Sequence, residues 1–325
     1  MVKAIRVHDP GGVDALVWEP VEVGAPGSGE VLLRHTAVGL NYIDVYFRTG
    51  AYPAAELPFI PGFEAAGVVE ALGPGVTELA PGDRVAYASR PVGAYSEQRV
   101  MSAERLVAVP DAIDDRAAAA MMLQGMTAHY LLRRTYSVKP GDTILFHAAA
   151  GGVGLIACQW AKHLGATVIG TVGSREKAEL AAAHGCDYPV VYTEEDFGAR
   201  VREITNGEGV PVVYDSVGKD TFDQSLDCLR KFGLLVSFGQ SSGKIPRFDP
   251  GVLSAKGSLY LTRPTLFDYV DTRADLLAAA NDLFETVMSG GVRIEVNQTY
   301  ALADAARAHA DLEGRKTTGS TVLLP

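Results

Sequence analysis

One run of small residues has the composition and context to hold a phosphate. His147-Ala148-Ala149-Ala150-Gly151-Gly152-Val153-Gly154 follows the apolar, strand-like Thr143 to Phe146 and opens the helix-like Leu155 to Leu164. A tight turn needs residues without bulk, phosphates must come close to the backbone, and a new helix offers unpaired N–H groups and the positive end of its dipole. The spacing, Ala149-x-Gly151-x-x-Gly154, departs from the strict G-x-G-x-x-G pattern. Such a loop alone also fits an ordinary strand-to-helix turn. Here strand, loop, helix and a second strand occur in the order a dinucleotide-binding unit requires.

The end of that second strand, Thr167 to Thr171, speaks to which dinucleotide. About 20 residues beyond the loop, NAD sites place a carboxylate on the ribose 2′-hydroxyl. This chain reads Gly173-Ser174-Arg175-Glu176-Lys177 instead. A small neutral residue followed by a hydroxyl and two cations leaves room and charge for a 2′-phosphate, so the sequence predicts NADPH over NADH. One of Arg175 and Lys177 also reads as a solvated helix-face charge near Glu176 and Glu179.

These residues must be positioned by a larger frame. The 325 residues allow two domains, each with its own core. The net charge of −10 argues against nucleic acid or an anionic membrane as the main partner. No apolar run reaches the ~18 residues of a membrane helix, and no signal-peptide pattern precedes the first strand-like stretch, so a cytoplasmic location is expected. The three cysteines, Cys158, Cys186 and Cys228, are expected to be free and mostly buried in a reducing compartment.

From Val2 to about Val109 the pattern is of short strands (Val31 to Arg34, Gly67 to Leu72, Arg84 to Ala88, Leu106 to Val109) between Gly and Pro turns, which predicts a compact, antiparallel, barrel-like domain. A helix is expected from Asp114 or Asp115 to Arg134. After the glycine loop, helices Lys177 to His184, Asp196 to Thr205 and Phe222 to Leu229 alternate with strands Tyr188 to Tyr192, Val210 to Asp215 and Leu234 to Phe238. That alternation predicts a parallel, doubly wound sheet, with Ser258 to Thr262 as a further strand. The tail reads as helices near Arg273 to Met288 and Asp304 to Leu312 and a strand, Thr321 to Leu324, expected to return to the first domain.

The segments Gly39-Leu40-Asn41-Tyr42-Ile43-Asp44, Gly62-Phe63-Glu64-Ala65-Ala66-Gly67, Ala80-Pro81-Gly82-Asp83-Arg84-Val85, His147 to Gly154, Val213-Tyr214-Asp215-Ser216-Val217-Gly218 and Ser237-Phe238-Gly239 span nearly the whole chain. In this order they resemble the medium-chain dehydrogenase/reductase superfamily, and within it the zinc-free quinone oxidoreductase family that includes zeta-crystallin. The resemblance implies an α/β fold: a GroES-like barrel-type β domain from residues 1–122 and 265–325, and a Rossmann doubly wound domain over 123–264 that binds NADPH. Zinc-dependent relatives supply a Cys near position 40, a Gly-His-Glu segment and a four-Cys lobe. This chain has Leu40 and Asn41, Phe63 in the His position and no cysteine before Cys158, leaving Glu64 alone. One carboxylate cannot hold zinc.

The resemblance also implies site residues. The nicotinamide end should meet Asn41, Thr127 and the Phe238-Gly239-Gln240 turn; the pyrophosphate should meet Gly151, Gly152 and Val153. The 2′-phosphate should meet Gly173, Ser174, Lys177 and Tyr192, with Ser216, Arg263 and Arg315 of the Arg315-Lys316 segment as further contacts. Gln124 stands where relatives often place a Lys, so a cationic contact to the cofactor is exchanged for a neutral one. Tyr46 and Tyr52 flank a loop beside Arg48; as phenols they could bond or stack on a substrate ring, or be half-buried packing residues. Asn41, Tyr46 and Tyr52 are the catalytic candidates. His147 and His129 read as core histidines, Asp44 as a local cap or pair, and Glu64 as a structural acceptor or a cleft group.

Without metal or flavin, the expected chemistry is transfer of reducing equivalents from NADPH to a quinone. A second reading is reduction of the C=C bond of an enone or alkenal; a third is a non-catalytic, crystallin-like or RNA-binding protein that retains NADPH. The family implies a homodimer, for which Ser258 to Thr262 is the nominated edge.

Overall fold

The computed structural model describes residues 2–325. The described residues divide into two compact units: residues 2–126 with Val270–Phe284 and Ile294–Pro325, and Thr127–Tyr269 with Glu285–Arg293.

The first unit is built on a seven-stranded sheet ordered Val296–Ala301, Ser320–Leu324, Glu30–Leu40, Glu64–Leu72, Arg84–Ala88, Val107–Ala108, with Gln98–Ser102 also paired to Glu30–Leu40. The long central strand explains this arrangement. Its first half alternates, burying Val31, Leu33, His35 and Ala37, and its last three residues are all buried. Gly39 permits that crowding: a Cβ there would lie 2.2 Å from Glu64 Oε1 and 2.3 Å from the Ala119 carbonyl. The sequence predicts only Val31 to Arg34 of this strand, because alternation is the signal it offers and the buried half does not alternate. The terminal strand does return here, with Thr321–Leu323 antiparallel to Leu40–Val38. A helix, Tyr42–Arg48, follows the central strand, where the sequence reading names no element and places a loop only between Tyr46 and Tyr52. Aromatic residues spaced along a short helix resemble strand or loop sequence, since seven residues show barely two periods.

The second unit carries a six-stranded, wholly parallel sheet ordered Tyr188–Val191, Thr167–Val172, Thr143–Phe146, Val210–Asp215, Leu229–Ser237, Tyr260–Thr262. The order reverses direction between Thr143–Phe146 and Val210–Asp215, the point at which doubly wound sheets open a crevice for ligands. The strand Leu229–Ser237 begins earlier than Leu234, and its register against Val210–Asp215 shifts between Val210 and Val212. Phe232 sits in that segment with φ +60° and is exposed, a break in pattern that hides the strand's start from its sequence. The helix Asp115–His129 ends earlier than Arg134, and the chain continues as a wider π-helical turn over Tyr130–Thr135. The core gathers Leu145, Ile169, Val190, Val213 and Leu235 from five of the strands.

All three cysteines are free and buried. Contact with Cys186 and burial push the Cys158 thiol well above its ordinary range, and burial pushes Cys228 up to about 12. No helix among the described residues is long and apolar enough to cross a membrane.

Candidate active site

On the second unit, the sequence-nominated residues gather at the C-terminal ends of the parallel strands. The loop after Phe146 turns through Ala148, whose φ is +56°, and Gly151 caps the helix Gly152–His163. Gly154 must be glycine, because a Cβ would lie 2.3 Å from the Ala148 carbonyl oxygen. Helix and loop therefore touch backbone to backbone, leaving the first-turn N–H groups of Gly152 and Val153 at the mouth of the loop. His147, just before, is fully buried; its Nδ1 meets Thr171 Oγ1 at 2.8 Å and its Nε2 meets Ser225 Oγ at 2.9 Å. Burial lowers its pKa, and it is the satisfied core histidine the sequence predicts.

At the end of Thr167–Val172, Ser174 caps the helix Arg175–Ala183 by accepting from the Lys177 backbone N–H at 3.4 Å. Gly173 lies against Tyr192, whose hydroxyl is 3.0 Å from where a Gly173 Cβ would stand. Arg175 turns to solvent and pairs with Glu194 at 2.9 Å, which identifies it as the solvated one of the two cations. Further along, Asp215 is buried and its Oδ1 accepts from the N–H groups of Val217 (2.7 Å) and Gly218 (3.0 Å). This holds the Ser216 turn, on which Gly239 packs so closely that a Cβ would be 2.5 Å from the Ser216 carbonyl. Phe238 reaches the Phe146 ring, 5.7 Å between centroids, and Arg263 donates to the Ser237 carbonyl at 2.7 Å. Thr127 is buried at the end of the helix Asp115–His129, and His129 lies 5.8 Å from the Trp160 ring.

The remaining nominated residues belong to the first unit. Asn41 precedes the helix Tyr42–Arg48, and Asp44 reaches back to accept its backbone N–H at 2.9 Å, fixing the helix start. Its side chain donates to Glu64 Oε1 at 2.9 Å and accepts from Gln124 Nε2 at 3.2 Å; Gln124 Oε1 accepts in turn from Ser320 Oγ at 2.7 Å. Glu64 Oε2 accepts the Leu123 N–H. Gln124 is thus a buried member of a neutral amide network. Burial raises Glu64 to about 8, so at neutral pH it is largely a protonated acid holding Asn41 in place.

A second chain of bonds starts from Asp44, whose Oδ2 accepts from the Tyr95 hydroxyl at 3.0 Å. Tyr95 meets His309 Nε2 at 3.0 Å, His309 Nδ1 faces Arg48 Nη1 at 3.3 Å, and Arg48 makes a bidentate pair with Glu313 at 2.8 and 2.9 Å. Arg48 donates to Nδ1, so the proton of neutral His309 sits on Nε2. Burial pushes Asp44 up to about 7 and His309 down to about 3. The helix displays Tyr42, Tyr46 and, beyond its end, Tyr52, with ring centroids 5.3 Å and 5.1 Å apart in succession. Tyr46 therefore stands on a helix, and Tyr52 is tied back by its N–H to the Tyr46 carbonyl at 3.0 Å. Arg315 follows the helix Ala305–Glu313 in a left-handed conformation, φ +57°. Tyr95, His309, Glu313 and Ser320 escaped the sequence reading; their partners are tens to hundreds of residues away, and no local pattern marks them.

Among the described residues, no group of three or more His, Cys, Asp or Glu is placed to hold a metal ion. A GroES-like sheet unit interrupted in sequence by a six-stranded dinucleotide fold defines the medium-chain dehydrogenase/reductases. The family model "Alcohol dehydrogenase GroES-like domain" matches residues 27–111, and "Zinc-binding dehydrogenase" matches residues 152–275. The chain is 55% identical over the full length of both proteins to a quinone oxidoreductase of Pseudomonas aeruginosa. It is 49% identical to a 2-haloacrylate reductase of Burkholderia, over 100% of this chain and 99% of that one. The crystal structure of Escherichia coli quinone oxidoreductase complexed with NADPH matches 99% of this chain and 100% of its own at a TM-score of 0.98 and 48% identity. The chain belongs to the zinc-free quinone oxidoreductase family.

Proposed function

We propose that the chain is an NADPH-dependent quinone oxidoreductase that uses neither metal nor flavin. The observation that carries the cofactor is the end of the strand Thr167–Val172. Gly173, the Ser174 cap, Lys177 and Tyr192 lie at the end of that strand, where an NAD site needs a carboxylate, and Arg175 pairs with Glu194 at the surface. These residues fit NADPH, which supplies a hydride when bound. The glycine loop would hold the pyrophosphate, and Ser216, the Phe238–Gln240 turn, Arg263 and Arg315 would orient the rest. Asn41, locked between Glu64 and Gln124, and Thr127 would position the nicotinamide end.

The protein's contribution to the reaction is to hold a quinone against that end. Tyr46 and Tyr52 would bond its oxygen or stack on its ring. Reduction needs one proton beside the hydride, and water supplies it where no side chain does. Residues 1–122 with 265–325 would serve as the acceptor-side domain and 123–264 as the cofactor domain. The protein would work in the cytoplasm as a homodimer paired through Tyr260–Thr262, the edge of its sheet.

The test follows loss of reduced nicotinamide absorbance with 1,4-benzoquinone, a naphthoquinone and an alkenal, with EDTA present. Quinone-dependent oxidation of NADPH, slower with NADH and indifferent to EDTA, is the expected result; turnover with the alkenal alone would overturn the quinone reading. The 49% identity to a 2-haloacrylate reductase favours reduction of an activated C=C bond as the second reading. A non-catalytic NADPH-binding role predicts silence with every acceptor, and the net charge of −10 opposes RNA as a partner.

A further inference from the structure

Resting on the acceptor reading above, we propose that the enzyme selects acceptors that carry a negative charge beside the reducible group, by means of a cationic cavity on the dinucleotide-fold unit. The cavity is an open concavity of about 630 Å³, within the range of small-molecule sites. Lys244, Arg247 and Arg263 line it, and no carboxylate does. In a chain with 39 acidic and 29 basic residues, three cations without an acid around one concavity run against the overall charge. Neither Lys244 nor Arg247 forms an ion pair among the described residues. Asp249, the next acid along the chain, has its Oδ1 occupied by the Gly251 N–H at 2.8 Å.

A second observation points to a ligand. Ser237 lines the same cavity, is only 2% exposed, and its Oγ has no hydrogen-bond partner. A buried hydroxyl left unsatisfied is costly, and an oxygen acceptor that comes within reach of it on binding removes that cost. Arg263 is anchored beside it by its 2.7 Å bond to the Ser237 carbonyl, so its charge is held in place. Opposite in character are Ile245, Phe248 and Leu261, apolar groups suited to the faces of a ring. The cavity thus combines apolar groups, a hydroxyl donor and two cations, Lys244 and Arg247, beside Arg263, which the cofactor shares. An aromatic or conjugated acceptor bearing a carboxylate or sulfonate matches all three. Gly239 and Gln240 also line it, so it adjoins the turn assigned above to the nicotinamide end.

The experiment measures kcat/KM at saturating NADPH for 1,4-naphthoquinone, its 2-sulfonate and 2-chloroacrylate, in the wild-type enzyme and in a Lys244→Gln/Arg247→Gln double variant. The sulfonate-to-neutral ratio should fall about tenfold in the double variant, through KM. In the wild type it should also fall as salt rises from about 0.01 M to 1 M, because the Debye length shrinks from ~30 to ~3 Å. A ratio unchanged by both substitutions and salt overturns the proposal. So does an increase of about tenfold in the Kd for NADPH in the double variant, which would assign the cations to the cofactor. Turnover of 2-chloroacrylate alone replaces the quinone reading but supports anion selection if the double variant loses it. If no acceptor turns over, the functional reading fails by itself. Calorimetric binding of naphthalene-2-sulfonate to wild type and variant then decides the cavity: binding weakened about tenfold in the variant supports it, and equal or absent binding overturns it.

Discussion

Gly154 carries a tight constraint of the dinucleotide fold, since helix and loop meet there with no room for a methyl group. Substitution to Ala would put a Cβ 2.3 Å from the Ala148 carbonyl and force the loop open. Gly154→Ala should weaken NADPH binding by at least about tenfold while costing on the order of 1–3 kcal/mol of stability. Titration of cofactor fluorescence and thermal unfolding check the two effects.

Buried histidines set a second residue-scale expectation. His35, bonded to the Ser96 carbonyl at 2.6 Å and to Tyr87, is held down to about 3 by burial; His309 lies equally low, through burial and then Arg48. In the unfolded chain each takes a proton near pH 6.5, whereas the folded protein refuses it until about pH 3. Their contribution is therefore fully present above pH 6.5 and is lost as pH falls towards 3. His309→Gln should flatten that acid limb relative to wild type, as measured by denaturant midpoints between pH 4 and 7. Glu64 and Asp44 act in the opposite direction. Raised to about 8 and about 7, they stabilise most below the ordinary carboxylate range and lose that contribution as pH rises through those values. Glu64→Gln should therefore reduce the decline in stability towards pH 8.

At the scale of elements, the helix Tyr42–Arg48 is fixed at both ends. Asp44 and Asn41 hold its start, and Arg48 ties its last turn to Glu313 on the helix Ala305–Glu313. Arg48 is only 2% exposed, so removing it leaves a partly buried carboxylate and His309 Nδ1 without their donor. Arg48→Met should destabilise by about 3 kcal/mol, read from urea unfolding, and disturb the Tyr42–Tyr46–Tyr52 row with it. Elements of this kind were the least legible in the sequence. The glycine loop, its flanking strand and helix, and the parallel alternation after it announce themselves, because phosphate chemistry and βα repetition impose local patterns. The helix Tyr42–Arg48, the buried half of Glu30–Leu40 and the early start of Leu229–Ser237 do not, because the first spans barely two periods, the second does not alternate and the third is broken at Phe232. The same division runs through the site. Ser174, Gly173 and Lys177 read directly as a cofactor subsite, while Tyr95, His309 and Ser320 become visible only when the sheet of the first unit closes.

For the whole molecule, the proposed homodimer is the feature open to direct test. Tyr260 on the edge strand Tyr260–Thr262 is 61% exposed although aromatic, and the strand offers an unpaired row of backbone groups. Tyr260→Asp should shift the protein from dimer to monomer in analytical ultracentrifugation at micromolar concentration. An unchanged dimer would place the interface elsewhere.

The burial of all three thiols acquires a meaning once the proposed substrate is considered as a reagent. Quinones are soft electrophiles that add to thiolates, and a protein that gathers them exposes its own cysteines to alkylation. Cys158, Cys186 and Cys228 are buried, and two of them are held strongly as thiols. The thiols are thereby withheld from the class of compound the fold receives, and prolonged turnover should leave none of the three arylated.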